Sequence, residues 1–413
     1  MTGSIDPAGN PPEDPTVSRF SRPGRLTLAA WAAVLGGIVW LGVIRPRLAE
    51  PRVPSGGHWE AVARGRALLE QGRPDLALAA VSHIRDEASG AGEAMCVAGI
   101  ALGKMDRFGP AKLALERAIR LQPRQPMATK VLAALHLSMG DSERGLECLR
   151  KAAELAPKDF RPWFTMGQVY LDLGEPAKAA EAYLEALRRN PAAIAARIGR
   201  IEALLGANGL ETAGSLIGDT LPSARDNAKL LGLAARQARE TGRNEEALAF
   251  ADRSLELDPN EPEALMARAR IHAASGRPAE ARRDLERVVA NHPNRIDALT
   301  LLTQVASQLG LRDLADQTAK QRKAASDRLI LMDAMTQEIS ARPNDPEPRY
   351  RMGLAAIEGR QWVLARNCFN AALAVDPEHE ASRRGLRRLA ESSESDSAGK
   401  SALAIDGGLP DEP

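Results

Sequence analysis

Aromatic residues are scarce in this sequence. They make up 3% of its 413 residues, whereas hydrophobic residues as a whole make up 44%. Alanine and leucine therefore supply most of the apolar surface, which suits closely packed helices and disfavours a β-sandwich or a β-barrel. A chain of this length is also too long for one ordinary core, so we expect several domains or a repeat array.

Paired cysteines and an excess of one charge are also lacking. Cys96, Cys148 and Cys368 lie far apart, and the chain has no CxxC. This argues against a disulfide framework and a cysteine zinc site, and we predict buried, inert thiols. Lysine plus arginine numbers 55 and aspartate plus glutamate 54. That balance argues against a general nucleic-acid binder, because such proteins normally carry a basic excess.

Recognisable catalytic signatures are missing as well. The six histidines are scattered, and the sequence has no HExxH, no GxxxxGK followed by Ser or Thr, no GxSxG, and no GxGxxG that follows a strand pattern. These are the motifs that mark zinc, phosphate, acyl-transfer and dinucleotide chemistry. We therefore predict no catalytic residues, no cofactor and no metal, and an enzyme of unrecognised type is the least favoured alternative.

One segment is apolar enough to cross a membrane. Residues 26–44, LTLAAWAAVLGGIVWLGVI, contain no charge, and as a helix they would be about 28 Å long against a hydrocarbon core of roughly 30 Å. We predict an uncleaved single-pass anchor; the alternative is a signal peptide, whose apolar region is usually shorter. Arginines flank both sides, at Arg19, Arg22, Arg25, Arg45 and Arg47. The charge asymmetry is therefore small, and the short arginine-containing tail places the rest of the chain outside the cytoplasm.

The main pattern is an internal repeat. Residues 160–193 read FRPWFTMGQVYLDLGEPAKAAEAYLEALRRNPAA, and steps of 34 residues give further units that start at 58, 92, 126, 194, 228, 262 and 296. Position 20 is alanine in all of these units except unit 126, where it is Gly145. A ninth unit starts at Pro346. The pattern resembles the tetratricopeptide repeat, a 34-residue helix–turn–helix, over residues 58–379.

The residue types fit that resemblance. Small residues at positions 8 and 20 let helices A and B of a unit cross closely, glycine at position 15 permits the reversal between them, and proline at position 32 ends helix B. The resemblance implies an all-α, right-handed solenoid of about nine units. Since one hairpin cannot bury its apolar face alone, the units would stack on one another.

Two regions depart from the pattern. Unit 194 has Ile201 and Arg225 where glycine and proline are usual, so we expect looser stacking there. Units 296 and 346 are separated by 50 residues rather than 34, and we predict an extra helix near 328–341. Its apolar residues are expected to pack into the solenoid, with a partner or dimer surface as the alternative. They are Leu331, Met332, Met335 and Ile339.

The remaining segments frame the array. We predict disordered tails at 1–25 and 393–413 because both are too polar to pack, and a linker at 45–57. Residues 380–392 are predicted to form a capping helix that covers the last unit.

The resemblance also implies where a ligand would bind. Positions 2, 5, 9, 12 and 13 of helix A commonly face the concave side of such a superhelix. Two groups of these positions are candidate partner-binding residues: a polar group at Arg236, Arg239, Arg270 and Gln304, and a second group at Phe164 and Gln168. Converging guanidiniums could hold a carboxylate bidentately, which predicts an acidic partner; the alternative is an ordinary solvated helix face. His136 and His272, at position 11, are expected to be core residues.

These observations predict a membrane-anchored scaffold or adaptor that mediates protein–protein interaction. The first alternative is an accessory subunit of an envelope biosynthesis or secretion complex, assembled through the anchor, where Gly36 and Gly37 would permit close helix approach.

Overall fold

The computed structural model describes residues 57–389, and all of their regular structure is helical. The helices are α1 (Gly57–Glu70), α2 (Pro74–Val81), α3 (Ala91–Lys104), α4 (Phe108–Leu121), α5 (Pro126–Ser138), α6 (Ser142–Leu155), α7 (Arg161–Asp172), α8 (Pro176–Arg189), α9 (Ile194–Gly206), α10 (Leu210–Thr220), α11 (Ala228–Glu240), α12 (Asn244–Leu257), α13 (Pro262–Ala274), α14 (Pro278–Asn291), α15 (Ile296–Gln308), α16 (Arg312–Ala341), α17 (Glu347–Glu358) and α18 (Trp362–Val375). A last helical stretch, α19, covers residues 380–389.

The helices form consecutive antiparallel pairs in the predicted register. Odd-numbered helices up to α17 are the A helices and even-numbered ones the B helices, and each pair packs on the next. The all-α prediction is confirmed for residues 57–389. Within this range no helix is long and apolar enough to cross a membrane; the predicted anchor at 26–44, both predicted tails and nearly all of the linker lie outside the described residues.

The turn inside each unit uses a left-handed residue at position 15. Six units place glycine there, as at Gly174 with φ 70°, where the missing side chain removes the steric penalty. The other three units adopt the same conformation without glycine, at Asp106 (φ 58°), Asn208 (φ 64°) and Arg360 (φ 55°). The turn geometry is thus common to all units, whether or not the sequence carries the favourable residue.

Small residues let the helices approach one another. The Tyr183 ring lies between Gly167 and Gly199, where an added Cβ would come within 2.8 Å and 2.5 Å of it. Phe369 is enclosed in the same way by Gly353 and Gly385, with corresponding distances of 2.5 Å and 2.7 Å. Because Gly385 belongs to α19, this helix packs on the last unit as helix A of a further unit would.

The two irregular regions remain packed. Ile201 is fully buried, and α10 is followed by a short 3-10 turn, Leu221–Ser223, in place of a longer helix. Residues 328–341 are not a separate helix: they form the C-terminal half of the 30-residue α16. Of the four apolar residues assigned to the solenoid in this segment, Met332, Met335 and Ile339 are buried, while Leu331 is 38% exposed.

The last unit also contacts a distant part of the chain. Ala371 of α18 shares a core with Phe108 and Leu132 of α4 and α5, and Arg349 Nε donates to the Met139 carbonyl at 3.3 Å. We call this contact of α17 and α18 with α4, α5 and the turn after α5 the closing seam. It joins the last unit to units 92 and 126 and makes the array return on itself.

The glycine contacts predict a local effect on stability. Gly167→Ala places a Cβ against the Tyr183 ring, so we expect the free energy of unfolding to fall by about 1–3 kcal/mol, as for other overpacked sites. Denaturant unfolding of the full-length protein measures it. Gly218→Ala is the matched control, because nothing lies within 4 Å of its added Cβ; an equal loss in both variants would contradict the packing argument.

Candidate functional site

Ion pairs connect successive A helices along the face that carries positions 2 and 9. Four of them join position 9 of one unit to position 2 of the next, so the repeat register itself brings the two charges together. We call these four pairs the A-helix ladder: Arg66–Glu93, Glu202–Lys229, Arg236–Glu263 and Arg270–Asp297.

Arg236 is a structural member of the ladder. Its Nε lies 3.1 Å from Glu240 Oε1, its Nη1 lies 3.5 Å from Glu263 Oε2, and its Nη2 donates to the Leu205 carbonyl at 3.3 Å. The side chain is 18% exposed. Burial disfavours the charge, but the two carboxylates outweigh it and raise the pKa of Arg236. Arg236 therefore ties three units together and has little capacity left for a ligand.

Arg295 supports the same ladder from the turn before α15. Its Nη2 lies 2.8 Å from Glu263 Oε1 and its Nε lies 3.1 Å from Asp297 Oδ1. Both carboxylates are therefore shared between two arginines. Such sharing fixes the carboxylates in place and links units 262 and 296.

In the described range, Arg239 and Arg270 have more N–H donors without a hydrogen-bond partner than Arg236 has. Arg239 Nη2 lies 2.9 Å from Glu240 Oε1, a carboxylate that Arg236 also uses, and within residues 57–389 its buried Nε has no hydrogen-bond partner. Arg270 makes a 3.3 Å contact with Asp297 and is 39% exposed. Burial, and then the nearby Arg270 charge, lower the pKa of Arg239. These two arginines form an incompletely neutralised pair.

The other three predicted site residues carry no charge. Gln304 is exposed on α15. Phe164 and Gln168 are half-buried on α7, and the Phe164 ring meets Tyr183 edge-on with centroids 5.7 Å apart. Phe164 is thus held by packing. Met127, at position 2 of unit 126, is an apolar side chain that is 45% exposed.

The structure adds acidic residues that sequence reasoning missed. Burial raises the pKa of Asp172 to about 8, with Glu202 adding to the shift. Burial also raises the pKa of Glu261 to about 8, although its carboxylate accepts the Ala264 backbone N–H at 2.7 Å. The ladder carboxylates could have been found from the register, because opposite charges recur at position 9 and at position 2 of the following unit.

The cysteines and potential metal ligands form no reactive group in the described range. Burial raises the pKa of Cys96 and Cys368 to about 12 and that of Cys148 to about 11, so these thiols stay un-ionised near neutral pH. Between residues 57 and 389, no three His, Cys, Asp or Glu side chains come together as metal ligands.

Comparison with known families supports the repeat resemblance. Models described as tetratricopeptide repeat match residues 96–160, 160–193 and 235–306. Together with the helical pairing above, these matches support a tetratricopeptide-repeat family.

The chain is also similar to several solved structures. A tetratricopeptide repeat protein from Parabacteroides merdae ATCC 43184 has 14% identity and a TM-score of 0.46, with 60% of this chain and 98% of that one covered. PilF of Pseudomonas aeruginosa has 17% identity and a TM-score of 0.45, with coverages of 52% and 97%. Yeast Tom70 has 16% identity and a TM-score of 0.44, with coverages of 79% and 70%.

The ladder predicts unequal effects at equivalent positions. Arg236→Met removes a mostly buried cation from two carboxylates, so we expect the free energy of unfolding to fall by about 1–3 kcal/mol. Arg66→Met breaks the equivalent pair where the arginine is 57% exposed, and we expect a loss below about 1 kcal/mol. Denaturant unfolding of both variants tests this. An equal loss of unfolding free energy in both variants would show that the burial of an arginine does not determine how much its ladder pair contributes to stability.

Proposed function

We propose that this protein is a non-enzymatic tetratricopeptide-repeat scaffold that holds a protein partner on its A-helix face and is anchored to a membrane by residues 26–44. Stacked helical units present an extended surface with one side chain per unit at each inner position, which suits the binding of a peptide segment. The family matches support protein–protein interaction in general. The nature of the partner and the anchor are our proposals.

The observation that carries the proposal is the charge state around Arg239 and Arg270. This cluster contains four guanidiniums but only three carboxylates that pair with them. The guanidiniums belong to Arg236, Arg239, Arg270 and Arg295, and the carboxylates to Glu240, Glu263 and Asp297. These ion pairs therefore leave one positive charge of the cluster without a matching negative charge. An acidic side chain or a C-terminal carboxylate of a partner would supply the missing anion through charge-assisted hydrogen bonds.

An apolar contact further along the same face would give the partner a second anchor. Met127 is 45% exposed at position 2 of unit 126, and its thioether can adapt to different apolar side chains. The proposed ligand is therefore a segment with an acidic end over units 228 and 262 and an apolar residue nearer unit 126.

Substitution of the arginine pair tests the acidic contact. We expect Arg239→Gln/Arg270→Gln to lower partner recovery about tenfold or more, because hydrogen bonds to charged groups contribute roughly 1.5–3 kcal/mol each. The measurement is quantitative crosslinking and affinity purification of the full-length chain from its native membranes.

The matched control removes the same charge from the same two units. Arg243 and Arg277 occupy position 16, at the turn between the helices, and are 49% and 44% exposed. Arg243→Gln/Arg277→Gln should therefore recover the partner as well as the unsubstituted chain does. Equal recovery with both double variants would place partner binding elsewhere and contradict the proposal.

The anchor is tested separately. Leu35→Arg/Ile38→Arg adds two charges to the centre of residues 26–44, at a cost of about 2.5–3.5 kcal/mol each for membrane insertion. We expect this variant to leave the membrane fraction after an alkaline wash, while Leu35→Ala/Ile38→Ala stays. Retention of the arginine variant in the membrane fraction would show that residues 26–44 are not the anchor.

The orientation of the repeats is a separate question. A protease-protection assay on the unsubstituted full-length chain tests the proposed placement of the repeats outside the cytoplasm.

A further inference from the structure

The closing seam encloses a polar cavity. Its volume is about 180 Å³, whereas one water needs roughly 10–15 Å³ by the same kind of measure, so it can hold a small anion with its waters. Its walls come from units 92 and 126 on one side; on the other side they come from the turn before the last unit, from Arg349 of α17 and from the end of α18. The polar side chains that line it are Lys112, His136, Asp141, Arg144, Asn344 and Arg349.

Arg349 is buried without a carboxylate partner. The residue is 1% exposed, and its guanidinium donates to the carbonyls of Met139, Pro343 and Asp345 at 3.3, 3.1 and 3.2 Å. Those acceptors are neutral, and within residues 57–389 no carboxylate oxygen lies within 4.0 Å of the guanidinium. A buried cation is costly without a close anion. Burial therefore lowers the pKa of Arg349, and the carboxylates of Asp141 and Asp345 oppose this only from a longer distance.

His136 lines the same cavity, and its Nδ1 makes no short hydrogen bond within residues 57–389. The residue is 5% exposed, and its Nδ1 has no hydrogen-bond partner in the described part of the chain; the Asp141 carboxylate lies 3.6 Å away. Buried polar atoms are nearly always hydrogen-bonded. The Asp141 contact is too long for a hydrogen bond, so a bound acceptor in the cavity would supply one that the imidazole lacks.

The balance of charge around the cavity is positive. Asp141 is its one lining carboxylate; it accepts the Arg144 backbone N–H at 3.1 Å. Burial works against ionisation of Asp141, but the nearby His136 ring, 3.6 Å away, and the Arg144 backbone N–H outweigh burial and lower the pKa of Asp141. Two guanidiniums and the Lys112 ammonium face this single negative charge. Lys112 is 3.9 Å from Glu116, a weak contact at the rim.

We propose that this cavity binds a small oxyanion, a phosphate or a carboxylate group, which the guanidiniums, Lys112 and His136 hold between the last unit and unit 126. The planar guanidinium fork matches both groups. Since the walls come from segments about 210 residues apart along the chain, the anion would bind the closed array and stabilise it by mass action. This site is separate from the A-helix face proposed above for a protein partner.

Binding of inorganic phosphate and of succinate to the full-length chain tests the proposal. We expect saturable one-site binding of at least one probe by calorimetry in a chloride buffer, with a rise of the unfolding temperature at saturating probe. Binding of phosphate alone would define a phosphate site, and binding of succinate alone a carboxylate site. No binding of either probe at about 10 mM, where the association free energy would be only a few kcal/mol, would overturn the proposal.

Two variants and a matched control locate the site. His136→Phe keeps an aromatic side chain at position 11 and removes the ring nitrogens; Lys112→Gln/Arg144→Gln changes only partly exposed residues at the rim. We expect each to weaken probe binding about tenfold or more. His272→Phe makes the same change at the same position of unit 262, away from the cavity, and should bind as the unsubstituted chain does. Unchanged affinity in the Lys112→Gln/Arg144→Gln variant would refute the assignment.

Discussion

In three units the spacing between helix A and helix B depends on a large side chain at position 24 packed against a glycine at position 8. Tyr183 against Gly167, Phe369 against Gly353 and Leu115 against Gly99 repeat this contact in three units. Because interiors are packed as densely as crystals, a Cβ at these glycines would push the helices of a unit apart. In these three units helix A therefore lies close to helix B, whereas unit 194 accommodates the buried Ile201 at the same position.

The repeat register allowed much of this architecture to be predicted. Helix A and helix B of each unit begin where the 34-residue frame places them, because proline, glycine and alanine act locally on the backbone and on helix crossing. Among the left-handed turns without glycine, Asp106 and Asn208 are residue types that adopt this conformation more readily than most, whereas the turn at Arg360 could not be read from residue type. There the neighbouring helices impose the turn, and the packed unit compensates for the local strain.

Less of the candidate site could be predicted. The repeat register gives the position of a side chain within its unit, but it does not give the partners and the burial that the side chain finds there. Arg236 and Arg270 both occupy position 9, yet Arg236 has two carboxylate partners and 18% exposure, while Arg270 remains 39% exposed. His136 and His272 share position 11 in the same way. His136 lines a cavity because the last unit returns to it, and that contact has no periodic signal in the sequence.

The return of the last unit changes how stability is distributed along the array. In an open solenoid each unit contacts only its neighbours, so a terminal unit is held on one side alone. Here the last unit packs on α16 and α19 and also on α4 and α5 through the closing seam. Among the helices of residues 57–389, the first unit, α1 and α2, packs mainly on α3, and only Leu78 of α2 reaches the core of the seam. Local opening should therefore begin in the first unit, whereas opening of the last unit must break the seam, including the contact of Arg349 with the Met139 carbonyl, in the same step.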